Sequence, residues 1–495
     1  MPYRLPQQLY TAEHVRQLDR IAIDELKIPG YDLMQRAASF SYGCLKQHWP
    51  EARKILVVCG GGNNAGDGYV LARYAIEEGK QVQVGWLQDP EKLQGDASTA
   101  YRDLVESGCK PEPFDEYFLN DADIVVDALL GTGLDRDVEG AMAAAINAIN
   151  DSMLPVLSID IPSGLHADTG RVMGTAVKAD VSPSFIGLKQ GMFTNNGEEY
   201  AGKILFNDLE VPEEAYRRLG QHDVTRLLLQ DQLYLLEPRQ RNAHKGEFGH
   251  VLVIGGDSGY VGAARMAAEA ALRVGAGLVS VATRAEHVAM LCDTRPEIMA
   301  HGVESVPDLL PLLKRATVVA IGPGLGQSEW AQSILARVME TSLPLVIDAD
   351  ALNLLASDTR SSKNWVLTPH PGEAARLLGV SSNDIQSDRY QAARQLHDKF
   401  SGPVVLKGSG SVVADSRGRL FVCDAGNPGM SSGGMGDVLT GVIAGLIAQR
   451  LDINAATCLG VSLHAEAADA ASTDGGERGL LATDLMPYLR QLVNP

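Results

Sequence analysis

Short apolar segments that end in glycine-rich turns and lead into helix-like stretches recur along the whole chain. The first unit has an apolar run at 55–59, a turn at 60–68 and a helix-like stretch at 69–78. Continuous apolar runs are typical of strands covered on both faces, and their alternation with helices is typical of parallel sheets. The sequence therefore predicts an α/β fold. Further strands are predicted near 82–86, 124–129, 156–161, 251–254, 318–321, 345–348, 365–368, 404–407 and 411–414.

The chain is long enough for more than one domain. Its 495 residues exceed the usual size of a single domain, and 45% of them are hydrophobic, which is enough for sizeable cores. Between residues 209 and 249 the alternation gives way to polar, turn-rich sequence, and it restarts at 251–256. We therefore predict one domain over 1–225 and a second over 226–495.

The charge and the cysteines argue against several classes of protein. The 43 Lys and Arg residues face 62 Asp and Glu residues, and the formal net charge of -19 disfavours binding to nucleic acid or an anionic membrane. No apolar run approaches about 18 residues, and the N-terminus has no signal-like apolar segment. The cysteines show no Cys-x-x-Cys spacing, so neither a disulfide framework nor a zinc site is predicted. These features predict a cytoplasmic location.

The turn at 60–68 is a candidate phosphate-binding site. It lies between a predicted strand and a predicted helix, where backbone N–H groups can face an anion. It is neither a Gly-x-Gly-x-x-Gly motif nor a P-loop. Glycine-rich turns also occur without ligands, but Asn63, Asn64 and Asp67 add polar side chains that favour a ligand site.

Two more polar loops follow N-terminal strands. Asp127 precedes the loop 131–137, and Asp160 precedes the segment 161–164. The carboxyl ends of parallel strands meet at one ligand crevice, so these loops are expected to lie beside the glycine-rich turn. A buried carboxylate there can have a raised pKa and exchange protons, although Asp160 alone is also compatible with an ordinary turn.

These three motifs, in this order and spacing, resemble the NAD(P)H-hydrate epimerases over about residues 10–215. The resemblance implies a Rossmann-like three-layer αβα domain that interconverts the R and S forms of hydrated NADH or NADPH. It also implies Asp160 as the catalytic acid–base residue and a K+ ion bound by Asn64, Asp127 and Ser163. The residues implied to bind the hydrated dinucleotide are Asn63, Asn64, Ala65, Gly66, Asp67, Gly131, Thr132, Gly133, Leu134, Asp135, Arg136, Asp137 and Asp160.

One segment departs from the family's pattern. Where the family usually has an uninterrupted β-like run, residues 181–185 contain Pro183. Proline lacks the N–H group that a central strand donates, so this segment is predicted to be an edge strand or a bulge. The candidate site residues lie outside it.

The second half contains a glycine-rich segment before an apolar helix. Residues 427–441 place small residues ahead of a helix predicted from Val438 toward Ala448. Amides at a helix start can stabilise charge on a transferring phosphoryl group, and Asp437 is placed to accept a proton from an attacking hydroxyl. The pattern of four residues at 434–437 is by itself equally compatible with a capped helix and a surface aspartate.

Other motifs accompany that segment. Residues 407–411 follow a predicted strand and offer amides and hydroxyls to a nucleotide phosphate. Further glycine-rich or polar segments lie at 245–249, 255–259, 322–326, 348–353 and 368–373. Their order and spacing resemble the NAD(P)H-hydrate dehydratases over residues 240–490. This resemblance implies a ribokinase-like α/β domain.

The dehydratase resemblance also implies a reaction. That family uses ADP in bacteria and archaea, or ATP in animals and fungi, to remove water from the S hydrate; with ADP the products are AMP and phosphate. Asp437 would be the catalytic base, and Mg²⁺ is implied by the polyphosphate, with no assignable carboxylate ligand. The residues implied to contact the hydrated dinucleotide are Ala263, Gly324, His370 and Asp437, and those implied to bind ADP or AMP are Lys407, Gly408, Ser409, Gly410, Ser411 and Gly436.

Together the two halves predict a bifunctional metabolite repair enzyme, both isomerase and lyase, which acts on small molecules and forms a homo-oligomer. One alternative is a vitamin-precursor kinase on the same ribokinase-like fold with a fused nucleotide-binding domain. Another is an N-terminal half that binds without catalysing. His370, Asp348 and Asp350 are also compatible with purely structural roles at turns and helix caps.

Overall fold

The computed structural model describes residues 4–220, 222–357 and 360–494. The chain divides into two compact units, Met1–Thr225 and Arg226–Pro495. Each unit is an α/β structure with a mainly parallel sheet, which confirms the predicted fold class.

The N-terminal unit contains a seven-stranded sheet of order β4-β3-β2-β5-β6-β7-β9, in which all neighbouring strands are parallel. The strands of this part of the chain are β1 (Gln8–Tyr10), β2 (Lys54–Cys59), β3 (Gln81–Trp86), β4 (Glu112–Pro113), β5 (Ile124–Ala128), β6 (Val156–Ser158), β7 (Val181–Phe185), β8 (Leu188–Lys189), β9 (Lys203–Asn207) and β10 (Val224–Arg226). The helices are α1 (Ala12–Arg20), α2 (Gly30–His48), α3 (Asn63–Glu77), α4 (Gly95–Glu106), α5 (Gly140–Asp151), α6 (Gly197–Ala201) and α7 (Glu213–Leu219).

The continuous apolar sequence of β2 is explained by two cores, one on each face of the sheet. Ile55 and Val57 pack in one hydrophobic core, and Leu56 and Val58 pack in the other. Successive strand residues point to opposite faces, so a strand covered on both faces needs apolar residues at every position. The N-terminal unit is therefore a three-layer αβα structure.

The glycine-rich turn is shorter than the sequence predicts. Helix α3 begins at Asn63 and not at Tyr69, so the second half of the motif forms the first turns of the helix. A Cβ atom on Gly66 would lie 2.6 Å from Met34, and one on Gly68 would lie 2.6 Å from the Cβ atom of Ala128. These two glycines allow close helix packing, which a sequence pattern does not distinguish from a flexible loop.

The prediction of an edge strand at Pro183 is wrong. Strand β7 lies inside the sheet, between β6 and β9. Its registered pairing with β6 is limited to Leu157 and Val181, whereas β9 pairs along its whole length. Beyond Val181, Pro183 accepts a hydrogen bond from the Asp160 amide at 2.8 Å. Because the chain leaves β6 at this point, Pro183 occupies a central strand although it has no N–H group.

The C-terminal unit has strands hydrogen-bonded in the order β13-β12-β11-β14-β15-β16-β17-β18-β19, parallel from β13 to β17 and antiparallel afterwards. These strands are β11 (His250–Ile254), β12 (Leu278–Thr283), β13 (Met299–Gly302), β14 (Val318–Ile321), β15 (Leu345–Ile347), β16 (Trp365–Leu367), β17 (Val404–Leu406), β18 (Ser411–Ala414) and β19 (Leu420–Cys423). The helices are α8 (Val261–Arg273), α9 (Val288–Thr294), α10 (Val306–Leu313), α11 (Glu329–Val338), α12 (Ala349–Leu355), α13 (Pro371–Leu378), α14 (Ser382–Ser387), α15 (Arg389–Phe400), α16 (Met435–Ala448), α17 (Ile453–Gly475) and α18 (Leu485–Leu492).

Helix α16 is buried along its length and carries the glycine-rich motif at its start. It begins at Met435 and not at Val438, so Asp437 lies within its first turn. The preceding residue, Gly434, has a φ of 96°, a conformation that favours glycine. Among the described residues, no helix combines the length and the apolar character that crossing a membrane requires.

Candidate active sites

The three residues predicted to bind K+ lie together at the carboxyl end of β5. Asp127 is fully buried and accepts hydrogen bonds from the Ser163 hydroxyl at 2.6 Å and the Ser163 amide at 2.9 Å. The amide nitrogen of Asn64 donates to the Leu130 carbonyl at 2.9 Å, and Ser163 donates to the same carbonyl at 3.2 Å. Asn64 and Ser163 therefore meet at one backbone oxygen, and Ser163 also contacts Asp127.

This oxygen-rich group fits a monovalent cation. The side-chain oxygen of Asn64 is buried and has no hydrogen-bond partner among the described residues. Burial raises the pKa of Asp127 above its ordinary value, although hydrogen bonds from Ser163 and Ser158 oppose the shift. A bound cation would stabilise the Asp127 carboxylate and satisfy the Asn64 oxygen, which is costly to bury unpaired.

Asp160 lies where β6 has ended, and its backbone has a φ of 68°. This conformation is uncommon for a residue other than glycine and is often found at functional sites. One of its carboxylate oxygens, Oδ1, is contacted by the Lys189 ammonium and accepts from the Phe185 amide at 3.2 Å. Lys189 also donates to the Ser184 hydroxyl at 3.1 Å. The acid–base candidate is thus held by a buried lysine that the sequence analysis did not identify.

Two further carboxyl groups interact with Asp160 and Lys189. Asp67 lies one turn after Asn64 on α3, and Asp19 lies on α1. Burial and the charges of Asp160 and Asp19 raise the pKa of Asp67 well above its ordinary value. Burial raises the pKa of Asp19 to about 6, and Lys189 opposes this shift. Asp67 was predicted only as a dinucleotide contact, and Asp19 was not predicted at all.

The loop after β5 reaches the same region. A Cβ atom on Gly131 would lie 3.5 Å from the Cβ atom of Asn64, so the loop adjoins the start of α3. Asp135, Arg136 and Asp137 are exposed, and Asp137 lies 3.5 Å from Arg171. The N-terminal candidate residues therefore comprise a buried centre and an exposed loop beside it.

In the C-terminal unit, a buried ion pair lies beneath the start of α16. The Lys407 ammonium donates to Asp348 Oδ1 at 2.7 Å, and the Thr440 hydroxyl donates to Asp348 Oδ2 at 2.8 Å. Asp348 is 1% exposed. A Cβ atom on Gly436 would lie 3.1 Å from the Lys407 ammonium, so the helix start and the lysine are adjacent. Asp348 therefore positions Lys407, a role that its sequence context did not reveal.

Asp437 adjoins this ion pair and has a strongly shifted pKa. Burial, together with the negative charges of Asp348, Asp350 and Glu373, raises the pKa of Asp437 to about 7, against the opposing effect of Lys407. A carboxyl group whose pKa lies near the working pH is well suited to general-base catalysis. Asp437 is only partly exposed, which differs from the surface aspartate that the four-residue pattern also allows.

The remaining candidate residues of the C-terminal unit lie in other segments of the chain. Ala263 and Gly324 are adjacent, since a Cβ atom on Gly324 would lie 3.3 Å from that of Ala263. His370 caps α13 by accepting from the Gly372 amide at 2.9 Å, and its side chain is 53% exposed. It therefore has a capping role and remains accessible to a ligand. The segment between β17 and β18 consists of Lys407, Gly408, Ser409 and Gly410, and it leads into Ser411 at the start of β18.

Each of the two units has a set of polar residues at the ends of parallel strands, an arrangement typical of α/β enzymes. Residues 30–191 match the family model described as YjeF-related protein N-terminus, and residues 251–491 match that of NAD(P)H-hydrate dehydratase. A bifunctional NAD(P)H-hydrate repair enzyme of Coxiella burnetii is 50% identical over 98% of this chain and 99% of its own length. One of Escherichia coli is 41% identical over 100% of this chain and 95% of its own length. The chain therefore belongs to the family of bifunctional NAD(P)H-hydrate repair enzymes.

Solved structures support the fold of the second unit. A hypothetical protein of Streptococcus mutans is 32% identical and has a TM-score of 0.50 over 54% of this chain and 98% of its own. A ribokinase-like superfamily protein of Enterococcus faecalis is 31% identical, with a TM-score of 0.50 over 54% of this chain and 95% of its own. The predicted repair function and the ribokinase-like fold are confirmed, and the family assignment decides against the vitamin-precursor kinase.

Proposed function

We propose that the N-terminal unit interconverts the R and S forms of hydrated NADH and NADPH, and that the C-terminal unit uses ADP to dehydrate the S form, giving AMP and phosphate. The observation that carries this proposal is the first turn of α16, where Asp437 has a pKa of about 7 beside Lys407. A base and a cation at a helix N-terminus suit phosphoryl transfer to a hydroxyl group. The homo-oligomer and the cytoplasmic location stay predictions.

The dehydratase chemistry follows from the properties of the leaving group. Hydroxide leaves poorly, so the ring hydroxyl is first phosphorylated while Asp437 accepts its proton. Phosphate then leaves with electron donation from the ring nitrogen, and the neighbouring ring carbon loses a proton, which forms the carbon–carbon double bond of the reduced ring and completes the removal of water. Lys407 and the amide of Gly436 would stabilise the negative charge on the transferred group, and the segment 408–411 would hold the rest of the nucleotide. Ala263, Gly324 and His370 are the proposed contacts to the hydrated dinucleotide.

Mg²⁺ is proposed to enter with the nucleotide. Among the described residues, no group of three or more His, Cys, Asp or Glu side chains forms a ready metal site. Mg²⁺ commonly keeps several waters and binds through substrate phosphates with one or two carboxylates. The acidic residues near Lys407 would therefore supplement the phosphate ligands of this ion.

In the N-terminal unit, Asn64, Asp127 and Ser163 would bind K+, and the ion would supply a positive charge beside the dinucleotide phosphates. The amides of Asn63 and Asn64 at the start of α3 and the loop 131–137 are the proposed phosphate and ribose contacts. Asp160 is the proposed acid–base residue. The support for this assignment is the Lys189 contact, which holds one carboxylate oxygen in place.

The proposed pair of activities is tested with a mixture of R and S hydrates. We expect the purified protein with ADP and Mg²⁺ to restore the absorbance of the reduced nicotinamide ring until both epimers are consumed. Repeating the reaction with ATP determines the nucleotide preference. If the absorbance is restored quickly only for the S fraction, and the rest follows at the spontaneous epimerisation rate, the epimerase proposal is contradicted. No restoration with either nucleotide would contradict the dehydratase proposal.

The pKa of Asp437 predicts how dehydration depends on pH. The carboxyl group must be ionised to accept a proton, and its raised pKa means that it is protonated below about pH 7. We therefore expect kcat/KM for dehydration of the S hydrate to rise with pH and to level off above about pH 7. The measurement is initial rates between about pH 5 and pH 9. The assignment of Asp437 as the base fails if the same rise of kcat/KM with pH remains in the Asp437→Asn protein.

Removal of K+ is expected to destabilise the N-terminal unit and to slow epimerisation. The ion would stabilise the folded unit by about 2.7 kcal/mol when its concentration is about 100 times its Kd. Thermal unfolding in KCl is compared with unfolding in choline chloride at equal ionic strength. The K+ effect should disappear in the Asn64→Ala protein, which lacks the unpaired buried oxygen. An equal K+ effect in both proteins would place the ion elsewhere.

A further inference from the structure

Three carboxyl groups and one ammonium group of the N-terminal unit form an electrostatically coupled cluster around the contact between Asp160 and Lys189. Asp19, Asp67 and Asp160 are each partly exposed, whereas Lys189 is fully buried. All four groups interact electrostatically, and a single positive charge cannot neutralise three carboxylates. Which of the three carboxyl groups carries a proton therefore decides which of them can act as an acid and which as a base.

The hydrogen bonds distinguish Asp160 from the other two carboxyl groups. Asp160 Oδ1 is contacted by the Lys189 ammonium and by the Phe185 amide, and Oδ2 is left available. Within the described parts of the chain, neither Asp67 nor Asp19 has a hydrogen-bond partner. Burial and the negative charges of Asp160 and Asp19 raise the pKa of Asp67 well above its ordinary value.

We propose that Asp67 is the catalytic acid that works with Asp160 as the base of the epimerisation, a role different from binding phosphate or ribose. This inference rests on the proposed epimerase function. Two carboxyl groups in one site with different surroundings, one paired with a buried lysine and one beside further carboxyl groups, form an acid–base pair. A protonated Asp67 can donate a hydrogen bond, whereas an ionised one would repel the phosphates of a dinucleotide.

The reaction uses both groups without any net change in the enzyme. The hydrated ring carbon carries a hydroxyl group beside the ring nitrogen. Asp160 removes the hydroxyl proton, the carbon–nitrogen bond breaks with its electron pair moving to nitrogen, and Asp67 protonates that nitrogen. The resulting aldehyde rotates and presents its other face. The nitrogen then attacks the carbonyl carbon, returns its proton to Asp67, and the oxygen recovers the proton from Asp160.

Asp19 would act as a positioning residue for this pair. Its carboxyl group adds negative charge next to Asp67 and favours the protonated form of that residue. Removal of this charge should therefore weaken the hold of Asp67 on its proton. The basic limb of the epimerase pH profile, where the acid is lost, should move to lower pH.

The test compares Asp67→Asn, Asp67→Glu and Asp19→Asn with the unchanged protein, each followed by the exchange between R and S hydrates. Asparagine has the shape of a protonated aspartate but transfers no proton, so Asp67→Asn should lower kcat about 100-fold or more with little change in KM. Asp67→Glu should recover part of the loss. For Asp19→Asn, the prediction is a basic limb of the pH profile at lower pH.

Several results would overturn the proposal. If Asp67→Asn raises KM and keeps kcat, Asp67 is a binding residue. If Asp67→Asn keeps both values, it has neither role, and if Asp19→Asn leaves the basic limb in place, that limb does not report Asp67. If the unchanged protein does not exchange the epimers at all, the epimerase function itself is wrong. Thermal unfolding of each variant separates these results from a loss of fold, and an unfolded variant is replaced by Asp67→Ser in the same assays.

Discussion

The Asp437→Asn protein is expected to lose dehydratase activity by a factor of about 10² to 10⁴, which is the usual contribution of a positioned general base. Asparagine matches the size of aspartate but does not accept the hydroxyl proton. The loss should appear in kcat, with little change in KM for ADP, because nucleotide binding is assigned to Lys407, to the segment 408–411 and to Gly436. The measurement is the restoration of the reduced ring from purified S hydrate.

Two controls accompany this variant. Its thermal stability should be unchanged or raised, because the substitution removes a buried carboxyl group near Asp348 and Glu373. Asp452→Asn is the matched substitution, since Asp452 is an exposed helix cap in the same unit and asparagine also caps helices well. A dehydratase rate in Asp437→Asn equal to that of Asp452→Asn would refute the assignment of the base.

The Asp160→Asn protein is expected to epimerise no faster than the spontaneous reaction, with a loss of about 10² to 10⁴ in rate. Dehydration of the S hydrate should be unaffected. With mixed epimers, ring restoration should therefore become biphasic, with a fast phase for the S form and a slow phase for the R form. If epimerisation stays above the spontaneous rate, the N-terminal catalytic assignment is wrong.

This second variant needs a control for stability. Asp160→Asn leaves Lys189 buried without its carboxylate partner, and such a loss commonly costs about 3–5 kcal/mol. A double substitution, Asp160→Asn with Lys189→Met, removes both charges. It should regain stability without regaining epimerase activity, whereas recovered activity would show that the single variant was inactive through unfolding. Asp115→Asn, at an exposed cap in the same unit, is the matched active control.

The sequence predicted the α/β class because a strand that is buried on both faces of a sheet has apolar residues at every position, as in the continuous apolar run of β2. It was less reliable for the starts of helices. Both α3 and α16 begin inside motifs that looked like loops, because glycine lowers helix propensity but also allows the close packing seen at Gly66 and Gly68.

The sequence also pointed to most of the polar residues near the two sites, because turns at the ends of parallel strands must lie at one edge of the sheet. It did not reveal which of these residues interact. Lys189 is the last residue of the two-residue strand β8 and has no motif around it, and Asp19 lies on an ordinary amphipathic helix. Neither position carries a local signal of a shared site.

The positions of many strands along the chain, the glycine-rich segments and the resemblance to a family were accessible from the sequence alone, since each depends on residues close together along the chain. The pairing of Lys189 with Asp160 and of Lys407 with Asp348, and the raised pKa values of Asp67 and Asp437, required the tertiary structure. Burial and charge–charge energies depend on distances between residues that are far apart in sequence, and these distances exist only in the folded protein.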